Sequence, residues 1–157
     1  MTPRTIQTLA LSPALTLLPQ MMQAREARVM LIAIALQESA LRHRHQVGGA
    51  AHGFWQFESR GGTRGVLRHR ATRHYALSLL DVLVYSPKTS HKTVHKLLEH
   101  NDVLAAGFAR LLLWTLPDAL PTHAAEGWEQ YLEAWRPGRP HPGTWPANWR
   151  AAEESVY

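Results

Sequence analysis

The stretch LIAIALQESALRHRHQVGGAAHGFWQFE, Leu31 to Glu58, carries the residue whose setting is least ordinary for its type, Glu38. Eight almost wholly apolar residues, Val29 to Leu36, precede this carboxyl, and a loop with three Gly and the Phe54-Trp55 pair follows it. A carboxyl withdrawn from water is penalised only in its charged form, so burial raises its pKa by about one to several units and leaves a proton on it near neutral pH. Glycoside cleavage uses such a donor for the leaving oxygen, commonly with a second carboxylate on the far side of the sugar. The plainer reading of an acid in this place is the first polar residue of a solvated helix end.

Other groups with chemical potential are easier to set aside. His91 and His95 stand four apart on a predicted helix with Glu99 one turn further on, a spacing that presents metal ligands on one face. Lys92 directly follows His91, so the glutamate of a zinc-protease motif is missing and a solvated basic face is expected. No metal or other cofactor is expected. GGTRG, Gly61 to Gly65, lacks the Lys-Ser/Thr ending of a phosphate-cradling loop and reads as a flexible loop flanking a groove. Of the six Trp, Trp114, Trp128 and Trp135 fall at helical core spacing and read as packing.

The elements that must position Glu38 are mostly helical. Gln23 to Leu41 consists of strong helix formers without Gly or Pro, and its middle is apolar on every face, which marks a helix buried on all sides. Gly48 to Gly65 holds six Gly and no helical period, so it reads as a loop or a small irregular hairpin. Val66 to Tyr85 has helical spacing, with Tyr75, Leu79, Val82 and Leu83 on one face and Ser86-Pro87 as its stop. Ser90 is placed to cap a helix with Val94, Leu97 and Leu98 inward, ending near Asn101. Asn101 or Asp102 caps the next, Val103 to Leu116.

Beyond PDALP a further helix carries Ala124, Trp128, Tyr131, Leu132 and Trp135. The tail RPGRPHPGTWPANW is too rich in Pro and Gly for regular structure, with Trp145 and Trp149 expected to dock on the body. Near the start, LALSPALTLL is apolar but interrupted by Pro13 and followed by Pro19. It reads as a short helix capped by Ser12 with Pro13 at its first position, not as a signal-peptide core. The expected fold is all-α, a helical bundle around a buried central helix with at most a small β element in the Gly-rich stretch.

At 157 residues and 45% hydrophobic content the chain suits one domain spanning 1–157, of which 136–157 is the docked tail. Cysteine is absent, which excludes disulfides and thiolate chemistry. The formal charge of +5 points to an anionic partner, either nucleic acid or a carboxylate-bearing polymer such as the bacterial cell wall. The basic residues form short clusters such as RHRH and RHRATRH, with no nucleic-acid-binding signature, so no nucleic acid is expected. No apolar run approaches the ~20 residues of a membrane span, so no stable membrane insertion is expected.

ALQES, Ala35 to Ser39, followed by GGAAHGFWQFE, Gly48 to Glu58, resembles the lysozyme-like superfamily, most closely the soluble lytic transglycosylases and related phage lysins. Their pattern is a buried helix ending in Glu-Ser, then a loop reading Gly-Ala-x-Gly-Leu-Met-Gln. Glu38 and Ser39 match the first part, and Gly53, Phe54, Trp55 and Gln56 stand where Gly-Leu-Met-Gln would. The resemblance implies that Glu38 is the catalytic acid, that Ser39 supports it, and that Gln56 lines a sugar groove. Ala50 at the first Gly position and Trp55 in place of Met depart from the pattern.

NDVLAAGFARLLLW, Asn101 to Trp114, is loosely similar to the family's Asn-x-x-x-Gly segment. The family's Ala-Tyr-Asn triplet, whose Tyr touches the acid, is missing, and Tyr131 is the candidate to replace it. Glu58, just beyond GFWQF, is the nearest candidate for a second carboxylate, or else caps or pairs with Arg60 or Arg64. Trp55 and His52 in the motif loop are candidate binding residues, His52 for a peptide carboxylate of the wall.

The resemblance implies a peptidoglycan-cleaving glycosidase of phage or prophage type. It would act on the MurNAc-GlcNAc backbone by hydrolysis or by forming an anhydro-muramoyl end. Such a protein is made in a host cytoplasm and works in the periplasm or cell wall, with a holin or a virion as its partner. The alternatives are a wall-binding protein that keeps the groove without turnover and a basic helical protein that binds nucleic acid.

Overall fold

In the computed structural model, which describes residues 1–156, the run Val29–Leu36 forms the middle of α3 (Arg25–Ser39). Val29 to Ala35 are all buried, as a helix apolar on every face requires. Four further elements surround it. The N-terminal rod is α1 (Pro3–Ile6), a π turn (Gln7–Leu11) and α2 (Ser12–Thr16), followed by a short 3₁₀ turn (Gln20–Met22). α7 (Asp102–Trp114) is the second buried helix, with every residue from Leu104 to Leu113 inside. α8 (Ala124–Trp135) and α9 (Trp145–Ser155) close the remaining side, α9 lying along α3.

The fold is all-α. Among the described residues the only β pairing is two isolated antiparallel bridges, His45 with His52 and His52 with Phe57, in the loop after α3. No described helix is long and apolar enough to cross a membrane. Ser90 caps α6 (His91–His100) and Asn101 caps α7, each side chain accepting from a backbone N–H three residues on.

Three local expectations are corrected. Ser12 does not cap a helix start: it lies inside the N-terminal rod, which Thr2 caps, and its Oγ accepts from Arg28 at 2.9 Å. Pro13 is tolerated there because the wider π turn ahead of it, where Ser12 N–H donates to Gln7 O, takes up the crowding a proline imposes on the preceding turn. Val66 to Tyr85 is not one helix. It divides into α4 (Arg64–Arg68) and α5 (Arg73–Val82) at His69, whose ψ of 132° is extended. Thr72 stabilises the break by donating from Oγ1 to Val66 O at 2.8 Å, a side-chain bond that competes with the helical ladder.

The tail is regular after all. Pro142–Thr144 is a 3₁₀ turn and α9 follows, with Pro146 in its first turn, where a proline fits instead of breaking. Trp145, Trp149 and Ala152 form its buried stripe. Tyr157, the last residue of the expected tail, lies outside the described residues. At Gly127 of α8 an added Cβ would collide with the Trp149 ring, so this glycine is what lets α8 and α9 approach.

Candidate active site

Glu38 occupies the penultimate position of α3, where the apolar interior gives way to a cleft of about 590 Å³. The helix ends abruptly. Ala40 and Leu41 both turn left-handed, at φ 50° and 53°, a conformation that costs a non-glycine residue about 1 kcal/mol or more. Ser39 anchors the end: its buried Oγ lies 2.7 Å from Phe54 O and 2.9 Å from Ala35 O, and accepts from Leu41 N–H at 3.2 Å. The helix terminus and the motif loop are thereby joined through one hydroxyl.

The carboxyl is held from the other side by α8. Tyr131, itself buried, donates its O–H to Glu38 Oε1 at 2.6 Å. Burial pushes the Glu38 pKa up to about 7, the Tyr131 hydrogen bond pulls the other way, and the charge of Glu58 adds to the rise. The Tyr131 phenol is likewise raised, first by burial and then by the adjoining carboxylate. Since Tyr131 occupies Oε1 as a donor, the proton of the neutral acid sits on Oε2.

Behind this pair stands a wall of indoles. Tyr131 stacks on Trp145 with centroids 5.3 Å apart and planes at 15°, and Trp128 and Trp149 continue the cluster. Trp135 donates from Nε1 to Trp55 O at 2.8 Å and lines the cleft. It is not merely packing, as its helical spacing suggested.

The expected site residues divide between two places. Glu38, Ser39, Gln56, Glu58 and Tyr131 all line the cleft. Glu58 is exposed at its mouth, and among the described residues it forms no ion pair with Arg60 or Arg64. Gln56 is held in the left-handed region, φ 49°, with its side-chain amide donating to Gly53 O at 2.9 Å.

Gly53, Phe54, Trp55 and His52 do not reach the cleft; they build the loop. Trp55 is fully buried, and its Nε1 donates to Leu31 O at 2.9 Å in the middle of α3, so its ring has no face for a sugar. Phe54 is covered by the Arg44 guanidinium 4.4 Å from its centroid, and Arg44 is fixed by a bidentate pair with Asp102 at 2.8 and 2.9 Å. Gly53 takes φ +77°, and a Cβ there would stand 2.8 Å from Leu98 O. His52 is buried against α6, where its Nδ1 donates to His95 O at 2.9 Å. His95 is also buried and directs Nε2 to Phe57 O at 2.7 Å, so this part of α6 is not the solvated basic face its sequence suggested.

Sequence reasoning missed the opposite rim, which the tail supplies. Arg136, Arg139 and His141 line the cleft, as does His43 of the loop. Gln37 ties this rim to α3: its Nε2 donates to His141 O at 2.9 Å, while its Oε1 accepts from Thr144 and Asn148 at 3.0 and 2.8 Å. The repeated basic residues of RPGRPH were the available signal. The cleft therefore carries a protonatable acid at its floor, a second carboxylate at its mouth and basic side chains along its edge. No protein-family model, curated protein or solved structure matches the chain.

Proposed function

We propose that the protein cleaves the MurNAc-GlcNAc glycan backbone of peptidoglycan, with Glu38 as general acid and then base. The observation that carries this reading is the desolvated Glu38 carboxyl, poised near pKa 7 over an open cleft and gripped on one oxygen by Tyr131. At neutral pH about half of such carboxyls hold a proton, the condition under which one group serves as donor and later as acceptor. Protonation of the glycosidic oxygen from Oε2 lets the C–O bond break with positive charge on the sugar ring. Tyr131 then stabilises the carboxylate left behind.

The basic rim of Arg136 and Arg139 suits a polymer bearing peptide carboxylates, which a neutral polysaccharide would not need. The cation has two fates. Attack by water aided by Glu58 yields a reducing end; attack by the sugar's own hydroxyl, with Glu38 as base, yields an anhydro end. Mass analysis of released fragments separates them.

The test is clearing of purified cell walls by the wild-type chain and by Glu38→Gln, with wall binding measured in parallel. A fall in rate of about 10²–10⁴-fold with binding retained supports the reading. Binding without clearing by either protein points to a wall-binding module instead.

A further inference from the structure

On the face of the motif loop turned away from the cleft, three side chains converge. Glu99 Oε2 of α6 lies 3.1 Å from His45 Nδ1 and 3.4 Å from His52 Nε2, and the three ligand atoms fall within 4.8 Å of one another. None of the three lines the cleft. The alternation of the bridged loop explains this: Gln46 and Ala51 face the cleft, while the paired His45 and His52 face α6.

The hydrogen bonding of His52 fixes what its second nitrogen offers. Its Nδ1 faces the carbonyl of His95 at 2.9 Å, and a carbonyl only accepts, so Nδ1 carries hydrogen. In the neutral ring Nε2 is then a lone pair, aimed at a carboxylate oxygen that is also an acceptor. That separation of 3.4 Å is bridged by a positive species, a proton on Nε2 or a metal ion held between the two atoms. An imidazole whose far nitrogen donates to a backbone carbonyl is also the arrangement that orients histidine ligands in metal sites. The ring is further locked by stacking on His95, centroids 3.9 Å apart and planes at 6°.

We propose that His45, His52 and Glu99 bind a divalent transition-metal ion of the zinc class, which clamps the motif loop to α6. Two imidazole nitrogens and one carboxylate oxygen form a set that zinc accepts, with solvent in the fourth position. The geometry needs little change. Ligands about 2.0–2.1 Å from a tetrahedral ion stand roughly 3.3 Å apart, close to the two Glu99 separations of 3.1 and 3.4 Å. The remaining closure is between the His45 and His52 nitrogens, and rotation of the exposed His45 side chain supplies it. The ion ties residues 45 and 52 to residue 99, and so braces the loop that carries Gln56 toward the cleft.

Binding is read on the chain purified without a polyhistidine tag and stripped with chelator. Titration with Co²⁺ alone is expected to give tetrahedral visible bands that saturate at one ion per chain and are displaced by Zn²⁺. Zn²⁺ is expected to raise the unfolding midpoint by roughly 5–10 °C at about 100-fold excess over its Kd. Glu99→Gln keeps the side-chain shape and should weaken binding by at least about 10-fold, abolishing the thermal shift. His91→Ala, which removes a histidine of the same helix outside the cluster, should change neither. No bands and no thermal shift at millimolar metal, or equal binding by wild type and Glu99→Gln, overturns the proposal. Folding of Glu99→Gln is checked by its circular dichroism, and were it unfolded, His45→Asn on the exposed side replaces it under the same criteria.

Discussion

Replacing Tyr131 with Phe removes one oxygen and leaves the ring stacked on Trp145, so it isolates the hydrogen bond to Glu38. A hydrogen bond to a charged group is worth about 1.5–3 kcal/mol and one to a neutral group about 0.5–1.5 kcal/mol. The difference, about 1–1.5 kcal/mol, is close to one pKa unit. Glu38 is expected to move from about 7 to roughly 8. In the proposed reaction the acid must be protonated, so the alkaline limb of kcat/KM should move up by about one pH unit. The transition state builds negative charge on the same carboxylate, so the acid-side plateau should fall by up to about 10-fold. The two effects cancel at high pH: Tyr131→Phe should be markedly slower than wild type at pH 6 and near parity above pH 8.5. Wall clearing across pH gives the profile, and the ¹³C shift of the labelled Glu38 carboxyl gives the ionisation without substrate. An alkaline limb that stays in place or moves down would refute the role assigned to Tyr131.

Three other substitutions have expected outcomes. Because the folded pKa of Glu38 lies above its unfolded value, the neutral form stabilises the fold fully below about 4.5, and that contribution is lost as pH rises through about 7. Glu38→Gln should therefore match wild type in denaturant unfolding near pH 4 and exceed it by about 2–3 kcal/mol at pH 8.5. Gly53→Ala meets both a left-handed backbone and the Leu98 carbonyl, and calorimetry should show a loss of about 2–3 kcal/mol, roughly 4–12 °C in midpoint. Val84 is 90% exposed at φ 67°, so Val84→Gly relieves strain without losing packing; a gain of about 1 kcal/mol, or 2–4 °C, is expected with cell-wall clearing unchanged.

What could be read beforehand was what local pattern alone determines. α3 was legible because Val29 to Leu36 leave no polar face, and Glu38 stood out as the acid at the end of that run. α6 and α7 were legible through Ser90 and Asn101, whose caps are local bonds. The direction of a loop side chain is settled by distant partners instead: Trp55 turns inward toward Leu31 O, and His52 toward His95 O. Nothing periodic in GGAAHGFWQFE encodes either choice. The division at His69 has no Gly or Pro to announce it, since it rests on Thr72 reaching back to Val66. Pro146 misled in the opposite sense, because a proline that breaks a helix interior is accommodated in its first turn.

The indole wall behind Glu38 gives the molecule its own reporter. Trp128, Trp135, Trp145 and Trp149 are linked ring to ring with Tyr131, which leaves two of the six indoles elsewhere, Trp55 buried against α3 and Trp114 beside Arg110. Most of the indole emission therefore comes from rings packed around the tyrosine that holds the acid. Trp135 lines the cleft itself, so unlabelled emission spectroscopy is expected to respond when the cleft is filled.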